Sequence, residues 1–115
     1  MPHRVERALG VDQDLGLIFD HLAGAYSDFG ETHAAALASA GRRIQGLQDQ
    51  MDALGRQPYQ GTLRPDLGPK VRSVTKARAV FYFEVSEGPA VVRILAVFFG
   101  GQDHLRHMLT RLRGS

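Results

Sequence analysis

The residues of this sequence that are best suited to chemistry lie near its C-terminus, where an apolar run ends in Gly100-Gly101-Gln102-Asp103-His104. Histidine is the usual general base of enzymes, but no Ser-His-Asp or phosphate-loop motif surrounds His104 to supply a nucleophile. His107 follows His104 by three residues, short of the four-residue spacing of a helical zinc pair, and only Asp103 could add an acidic ligand nearby. This segment therefore predicts a joint between a strand and a helix, with Asp103 as the N-cap and neither a metal nor a cofactor.

The second feature that could serve a function is the distribution of positive charge. The net charge is only +2, but residues 1–55 hold four Lys or Arg against eight Asp or Glu, whereas residues 56–115 hold ten against four. A basic half attracts nucleic acid or an acidic partner. Cations on a strand also simply block aggregation. Both interpretations stay open for Arg72, Lys76 and Arg78.

Length and composition limit the class of protein. The 115 residues make a single domain, 1–115, with 43% hydrophobic and 23% charged residues, as in a globular protein. No apolar run approaches the roughly 20 residues of a membrane span, and the absence of cysteine excludes disulfides, thiol catalysis and cysteine zinc sites. The N-terminal MPHRVERALG lacks the apolar region of a secretion signal, so we expect a cytoplasmic protein.

Two helices are predicted in the first half. A stripe at helical spacing predicts a helix over Asp12–Tyr26, with Asp14 and Asp20 off the stripe. A second stripe with spacings of three and four predicts a helix between the N-cap Thr32 and a C-terminal glycine, Gly55. The stripes are Leu15, Ile18, Phe19, Leu22 and Tyr26 in the first helix and Leu37, Ala40, Ile44, Leu47, Met51 and Leu54 in the second. A short break between them favours an antiparallel helical hairpin.

The second half is typical of strands. Residues 71–74, 78–85 and 90–99 are rich in branched and aromatic side chains and predict an antiparallel three-stranded meander. Residues 4–9 allow a short N-terminal edge strand, and residues 56–69 form a loop with three of the five prolines. The predicted class is α+β, with the helical hairpin packed on a small antiparallel sheet and a short helix at the C-terminus.

Strict alternation assigns the side chains of the last strand to two faces. It places Val92, Ile94, Ala96 and Phe98 on one face and Val91, Arg93, Leu95, Val97 and Phe99 on the other. A strand apolar on both faces should be covered on both sides, and the helical hairpin can cover only one. The other face then needs the C-terminal helix and a partner, and Arg93 needs a carboxylate from this chain or from that partner.

This order of elements resembles the RelE/ParE superfamily of bacterial type II toxins. The resemblance is strongest over residues 61–113, through VRSV, RAVFYFEV and ILAVFFGGQD, and DLGLIFDHLAG at residues 14–24 is similar to the family's first helix. It implies a toxin neutralised by an antitoxin with an acidic amphipathic tail. The residues that would bind the antitoxin are Arg93, Leu95, Val97, Phe99 and Tyr82.

The resemblance leaves two activities and a third outcome open. RelE-like toxins cut mRNA on the ribosome with clustered Lys and Arg and a late Tyr, for which Arg72, Lys76 and Arg78 are the candidates here. ParE-like toxins, also called plasmid stabilisation proteins, inhibit DNA gyrase by binding. No tyrosine follows Tyr82, which favours the ParE-like branch and a ParD-like antitoxin. The residues that would contact the target are Arg72, Arg78, Asp103, His104 and Arg106. A degenerate antitoxin-binding module is the third outcome.

Overall fold

The structure is a computed structural model, and it describes residues 2–99 and 110–111. Two helices and five strands follow one another along the chain: β1 (Arg4–Arg7), α1 (Val11–Asp28), α2 (His33–Leu54), β2 (Thr62–Leu63), β3 (Val71–Lys76), β4 (Ala79–Glu87) and β5 (Ala90–Phe99). The strands form one sheet in the order β1-β5-β4-β3-β2, in which β1 runs parallel to β5 and the other neighbours are antiparallel. The predicted α+β class, helical hairpin, meander and N-terminal strand are confirmed, while β2 was not predicted.

The two helices begin and end for different local reasons. Thr32 caps α2 as predicted, because its Oγ1 accepts a hydrogen bond from the Ala35 backbone N–H at 3.1 Å. Gly55 is the C-cap of α2, as predicted, and its φ of −64° is right-handed. A Cβ at this position would lie 2.5 Å from the backbone oxygen of His3. Glycine is needed here because β1 passes close to the end of α2.

The main core lies between the helical hairpin and the sheet. Five large side chains from α1, α2 and β4 are fully or almost fully buried there: Ile18, Leu47, Met51, Phe81 and Phe83. Each contributes about 1.5–3 kcal/mol relative to an exposed position. The apolar stripes of both helices therefore fix how the hairpin sits on the sheet. Neither helix is long and apolar enough to cross a membrane, nor is any other helix in the described part of the chain.

A β-bulge in β5 changes which residues share a face. Tyr82 pairs with Ala96 and Phe83 with Ile94, so Leu95 is an extra residue between two paired positions. Leu95 and Ala96 consequently lie in the same cluster on the side of the sheet opposite the helices, here called the outer face. The strict alternation predicted for β5 is therefore correct through Leu95 and wrong from Ala96 onward.

The bulge moves the last apolar residues of β5 to new sides. Val97 and Phe99 belong to the core beneath the helices, whereas Phe98 belongs to the outer face. On that face Tyr82, Leu95 and Phe98 are buried, together with Leu67 from the turn before β3. The apolar part of the outer face is thus sheltered within the chain and does not require a partner to cover it.

Candidate functional site

The basic residues predicted to contact a target or RNA lie along one side of β3. Val74 packs against the core beneath the helices, and side chains two residues apart point the same way along a strand. Arg72 and Lys76 therefore share the helix-facing side of the sheet with Val74. Arg78 lies just beyond β3, in the turn to β4. The structure brings these three predicted cations to one strand and its end.

The turn that carries Arg78 has an unusual backbone. Ala77 has a φ of 53° and Arg78 a φ of 67°, as in a type I′ hairpin turn, which glycine and asparagine normally occupy. Each such non-glycine residue costs on the order of 1–3 kcal/mol. Arg43 of α2 supports the turn by donating a hydrogen bond from Nη2 to the Ala77 carbonyl oxygen at 3.3 Å. The Arg43 guanidinium also lies 5.6 Å from the centre of the Phe99 ring.

A cluster that sequence reasoning missed lies at the other end of β3. The Glu87 carboxylate accepts hydrogen bonds from the Tyr59 hydroxyl and from His3 Nε2, the latter at 2.7 Å. Arg72 donates from Nη1 to the Tyr59 carbonyl oxygen at 2.9 Å, and its guanidinium lies 5.4 Å from the centre of the Tyr59 ring. Four residues from four separate segments meet here, and no spacing along the sequence connects them.

The hydrogen bonds of this cluster set the charge of its members. The hydrogen bond from Tyr59, followed by that from His3, lowers the pKa of Glu87, while the same bond to Glu87 raises the pKa of Tyr59. Glu87 is therefore an anion that orients the His3 ring, and Tyr59 stays a neutral donor. The His3 imidazole, which a carboxylate orients, and the Arg72 guanidinium both contact Tyr59. Imidazole is the side chain that most often transfers protons in enzymes, and guanidinium binds phosphate.

The residues predicted to bind the antitoxin do not lie on one surface. Val97 is fully buried beneath the helices and Phe99 is half-buried there, so the prediction that they share a face with Arg93 and Leu95 is wrong. Leu95 is nearly covered on the outer face, as is Tyr82, over which the Arg64 guanidinium lies at 5.8 Å.

Arg93 is the exposed member of that predicted set. Its Cα pairs with those of Glu6 on β1 and Glu84 on β4, so it lies between two carboxylate side chains of the outer face. Among the described residues it forms neither a hydrogen bond nor an ion pair, and Glu6 is held by Arg4 at 2.6 Å. The predicted pairing of Arg93 within the chain is thus not formed as a contact.

Asp14 is the second feature that sequence reasoning missed. Its position off the apolar stripe suggested an exposed residue, but only 4% of it is exposed. The carboxylate accepts the Val97 N–H at 3.2 Å and two Arg111 nitrogens at 3.1 and 2.5 Å, and Arg111 also donates to the Leu95 carbonyl oxygen at 2.8 Å. This ion pair joins the start of α1, the bulge of β5 and the C-terminal segment.

The remaining predicted site residues, Asp103, His104 and Arg106, lie outside the described residues, as does most of the predicted C-terminal helix, of which Thr110 and Arg111 are described as helical. In residues 2–99 and 110–111, no three His, Asp or Glu side chains are grouped so that they could hold a metal ion.

Comparison with known proteins identifies the fold. No protein-family model matches the sequence, and no curated protein does either. Among solved structures, the chain is similar to the chromosomal ParDE toxin–antitoxin system of P. aeruginosa, with a TM-score of 0.63 and 21% identity over 84% of this chain and 95% of that one. It is also similar to the RelBE2 toxin–antitoxin complex of Mycobacterium tuberculosis, with a TM-score of 0.58 and 14% identity over 86% and 99% of the two chains.

A third similar structure is a double arginine variant of the E. coli toxin RelE in the free state, with a TM-score of 0.60 and 9% identity over 97% of this chain and 98% of that one. The three similarities cover 84–97% of this chain and 95–99% of the other chains; the first two structures come from toxin–antitoxin systems and the third is a toxin. The helical hairpin, the five-stranded sheet and these similarities together confirm the resemblance read from the sequence: this chain has the fold of the RelE/ParE superfamily of toxins.

Proposed function

We propose that this chain is the toxin of a type II toxin–antitoxin pair, that a ParD-like antitoxin neutralises it, and that it acts in the cytoplasm by binding DNA gyrase. The observation that carries the proposal is the fold, which the chain shares over 84% of its length with the ParDE system of P. aeruginosa. Binding rather than bond cleavage fits a chain in which no tyrosine follows Tyr82, where the nuclease branch has its late tyrosine.

The target contacts in this proposal are the half-buried Arg72 near the start of β3, the exposed Arg78 in the turn after β3, and the segment after β5. Arg72 and Arg78 are the described members, and Asp103, His104 and Arg106 are the members beyond Phe99. The DNA that gyrase holds is a polyanion, and cations on one surface favour fast, salt-dependent association with a negatively charged target. The proposed inhibition should therefore weaken as the salt concentration rises.

Ribosome-dependent cleavage of mRNA is the second candidate, and one observation favours it. Arg72 stacks on the Tyr59 ring, and the Tyr59 hydroxyl and the His3 imidazole both bind Glu87, so a cation, a hydroxyl and an imidazole are grouped around one tyrosine. Groups of these kinds assist phosphodiester cleavage. In that candidate Arg72, Lys76 and Arg78 bind phosphate and His3 moves the proton. The cluster supports this alternative without requiring it, because its hydrogen bonds also fasten β1 and the 56–61 loop to the end of β4.

Two assays with purified protein separate these candidates. In a gyrase supercoiling assay we expect inhibition by the native chain and loss of inhibition in the Arg72→Glu/Arg78→Glu double variant. Arg42→Glu is the matched control, because Arg42 is exposed on α2 and donates only to Ser39 among the described residues. Unimpaired supercoiling, together with mRNA cleavage on ribosomes that His3→Ala abolishes, would replace the gyrase proposal with the nuclease one.

A further inference from the structure

The helix-facing side of β2 and β3 lies beside the helical hairpin rather than beneath it. The helices pack mainly against β5 and β1, near the edge of the sheet opposite to β2. Leu63 on β2 is 51% exposed, and it pairs with Arg72, so both point to the helix-facing side. We call the open patch formed by Leu63, Arg72, Val74, Lys76 and Arg78 the β3 basic surface.

Charge on this part of the chain is almost entirely positive. Residues 61–78 contain five Lys or Arg and one acidic residue, Asp66. Arg64 already holds the Asp66 carboxylate at 2.8 Å, so Asp66 does not neutralise the cations of β3. The Glu87 carboxylate, which is linked to Arg72 through Tyr59, already accepts hydrogen bonds from Tyr59 and His3. The β3 basic surface therefore lacks a partner for its charge within the described residues.

The spacing along β3 specifies what would complement it. Arg72 and Lys76 are four residues apart on the same side of a strand, or roughly 13 Å, with the half-buried Val74 between them. An extended segment running along β3 has the same repeat. Carboxylates at positions i and i+4 would meet the two cations, and an apolar side chain at i+2 would cover Val74 and Leu63.

The backbone next to this surface gives an independent indication of a binding role. Ala77 and Arg78 both hold positive φ values without glycine, and Arg43 stabilises the turn through the Ala77 carbonyl oxygen. Glycine or asparagine would adopt the same turn at lower cost. Strained residues of this kind concentrate at binding sites, where the side chain presented outweighs the cost. Here the presented side chain is the exposed cation Arg78.

We infer that the β3 basic surface binds an extended acidic segment of a partner protein, with carboxylates four residues apart and an apolar residue midway between them. In naming that partner as the antitoxin, the inference rests on the proposed function. It moves the antitoxin site from the outer face, whose apolar residues are already covered, to the helix-facing side of β3. Nucleic acid is the other polyanion to consider, but Leu63 and Val74 between the cations suit an apolar side chain instead.

A designed peptide tests the inference on the full chain. The probe is a fluorescein-labelled twelve-residue peptide of three Glu-Thr-Val-Thr repeats, which places Glu at i and i+4 and Val midway. A peptide with Lys in place of Glu and a ten-nucleotide oligouridylate are the comparison ligands. Binding is measured by fluorescence anisotropy at low salt, and the binding surface is located by amide shifts in ¹⁵N-labelled protein. We expect the Glu peptide to bind best and to shift the amides of Leu63, Val74 and Lys76.

Variants in the turn distinguish an effect of the Arg78 charge on binding from an effect on the stability of the protein. Arg78→Gly should weaken peptide binding roughly two- to fivefold, the range of one exposed ion pair, while its thermal midpoint does not fall. Ala77→Gly keeps the charge and should bind as the native chain does. Arg93→Glu on the outer face should also leave binding unchanged. Equal binding of the Lys peptide, tighter binding of the oligouridylate, no binding of the Glu peptide, or sensitivity to Arg93→Glu instead of Arg78→Gly would overturn the inference.

Failure of this inference can be distinguished from failure of the proposed function. If the peptide binds the β3 basic surface but the chain neither arrests growth nor inhibits gyrase, the proposed function fails and the docking surface stands. If the chain inhibits gyrase but the peptide does not bind, the inference alone fails.

Discussion

The buried ion pair between Asp14 and Arg111 makes the sharpest prediction about stability. Replacing Asp14 by alanine removes the carboxylate that accepts the Val97 N–H and two Arg111 nitrogens. The variant then has a partly buried guanidinium that has lost its carboxylate partner, although it keeps its hydrogen bond to the Leu95 carbonyl oxygen. The Val97 N–H beside the β5 bulge loses its acceptor as well. Removing one partner of a buried pair typically costs about 3–5 kcal/mol.

The expected loss is large relative to the stability of a single domain. The free energy of unfolding of native domains is about 5–15 kcal/mol, so Asp14→Ala should remove more than half of the total at the lower end of that range. Arg111→Ala should cost a similar amount, because it leaves the Asp14 carboxylate buried with one remaining donor. Since both variants remove the same interaction, the double variant should lose roughly 2 kcal/mol less than the sum of the two.

Urea unfolding followed by circular dichroism measures all three free energies. Asp12→Ala is the matched control, because Asp12 is in the same first turn of α1 but its side chain is 89% exposed beside Arg7. That control should cost at most about 1 kcal/mol. Asp14→Asn keeps an acceptor for the Val97 N–H, so its loss in free energy of unfolding should lie between the losses of Asp12→Ala and Asp14→Ala. Equal losses for Asp12→Ala and Asp14→Ala, or strictly additive single variants, would refute the role assigned to this pair.

Smaller effects are expected at the hairpin turn, at the end of α2 and in the Glu87 cluster. Ala77→Gly should raise the free energy of unfolding by up to about 1 kcal/mol, because glycine adopts a φ of 53° without a Cβ clash; a lower thermal midpoint would contradict this. Gly55→Ala should lower the free energy of unfolding by about 1–3 kcal/mol, because the new Cβ would lie 2.5 Å from the His3 backbone oxygen. An unchanged urea midpoint would contradict this close contact between His3 and Gly55. The hydrogen bond from Tyr59 lowers the pKa of Glu87 below its ordinary 4.5. The ionised Glu87 carboxylate therefore contributes its full stabilisation above pH 4.5, and this stabilisation is lost as the pH falls through the lower pKa of the folded state. Glu87→Gln should therefore lose less stability than the native chain between about pH 5 and pH 3, and equal losses in the two urea titrations would count against the cluster.

The fold was largely predictable because its patterns are local and long. The stripes of α1 and α2 extend over many turns, the cap at Thr32 is a one-residue rule, and β5 was bounded correctly at residues 90–99. The two-residue strand β2 was not predictable, because its pairing with β3 is set by the fold of the loop rather than by its own sequence.

The candidate site was predictable only in part, for a physical reason. A single bulge at Leu95 reverses the direction of every later side chain in β5, so Val97 was placed on the wrong face by a rule that is otherwise sound. Asp14 shows a second limit. Its burial depends on Arg111, which is 97 residues away in the sequence, and no helical periodicity carries that information. The cations of β3 were found because they are clustered along one strand.

Induced expression in bacteria that carry a DNA-damage reporter tests the central proposal most directly, with amino-acid incorporation followed in the same culture. The account predicts growth arrest with an early reporter signal and continued translation, and release of the arrest in the Arg72→Glu/Arg78→Glu variant but not in Arg42→Glu. An immediate loss of translation with a silent reporter would contradict gyrase binding and support mRNA cleavage. Unimpaired growth with folded protein present would contradict toxin activity altogether and leave a module that only binds the antitoxin.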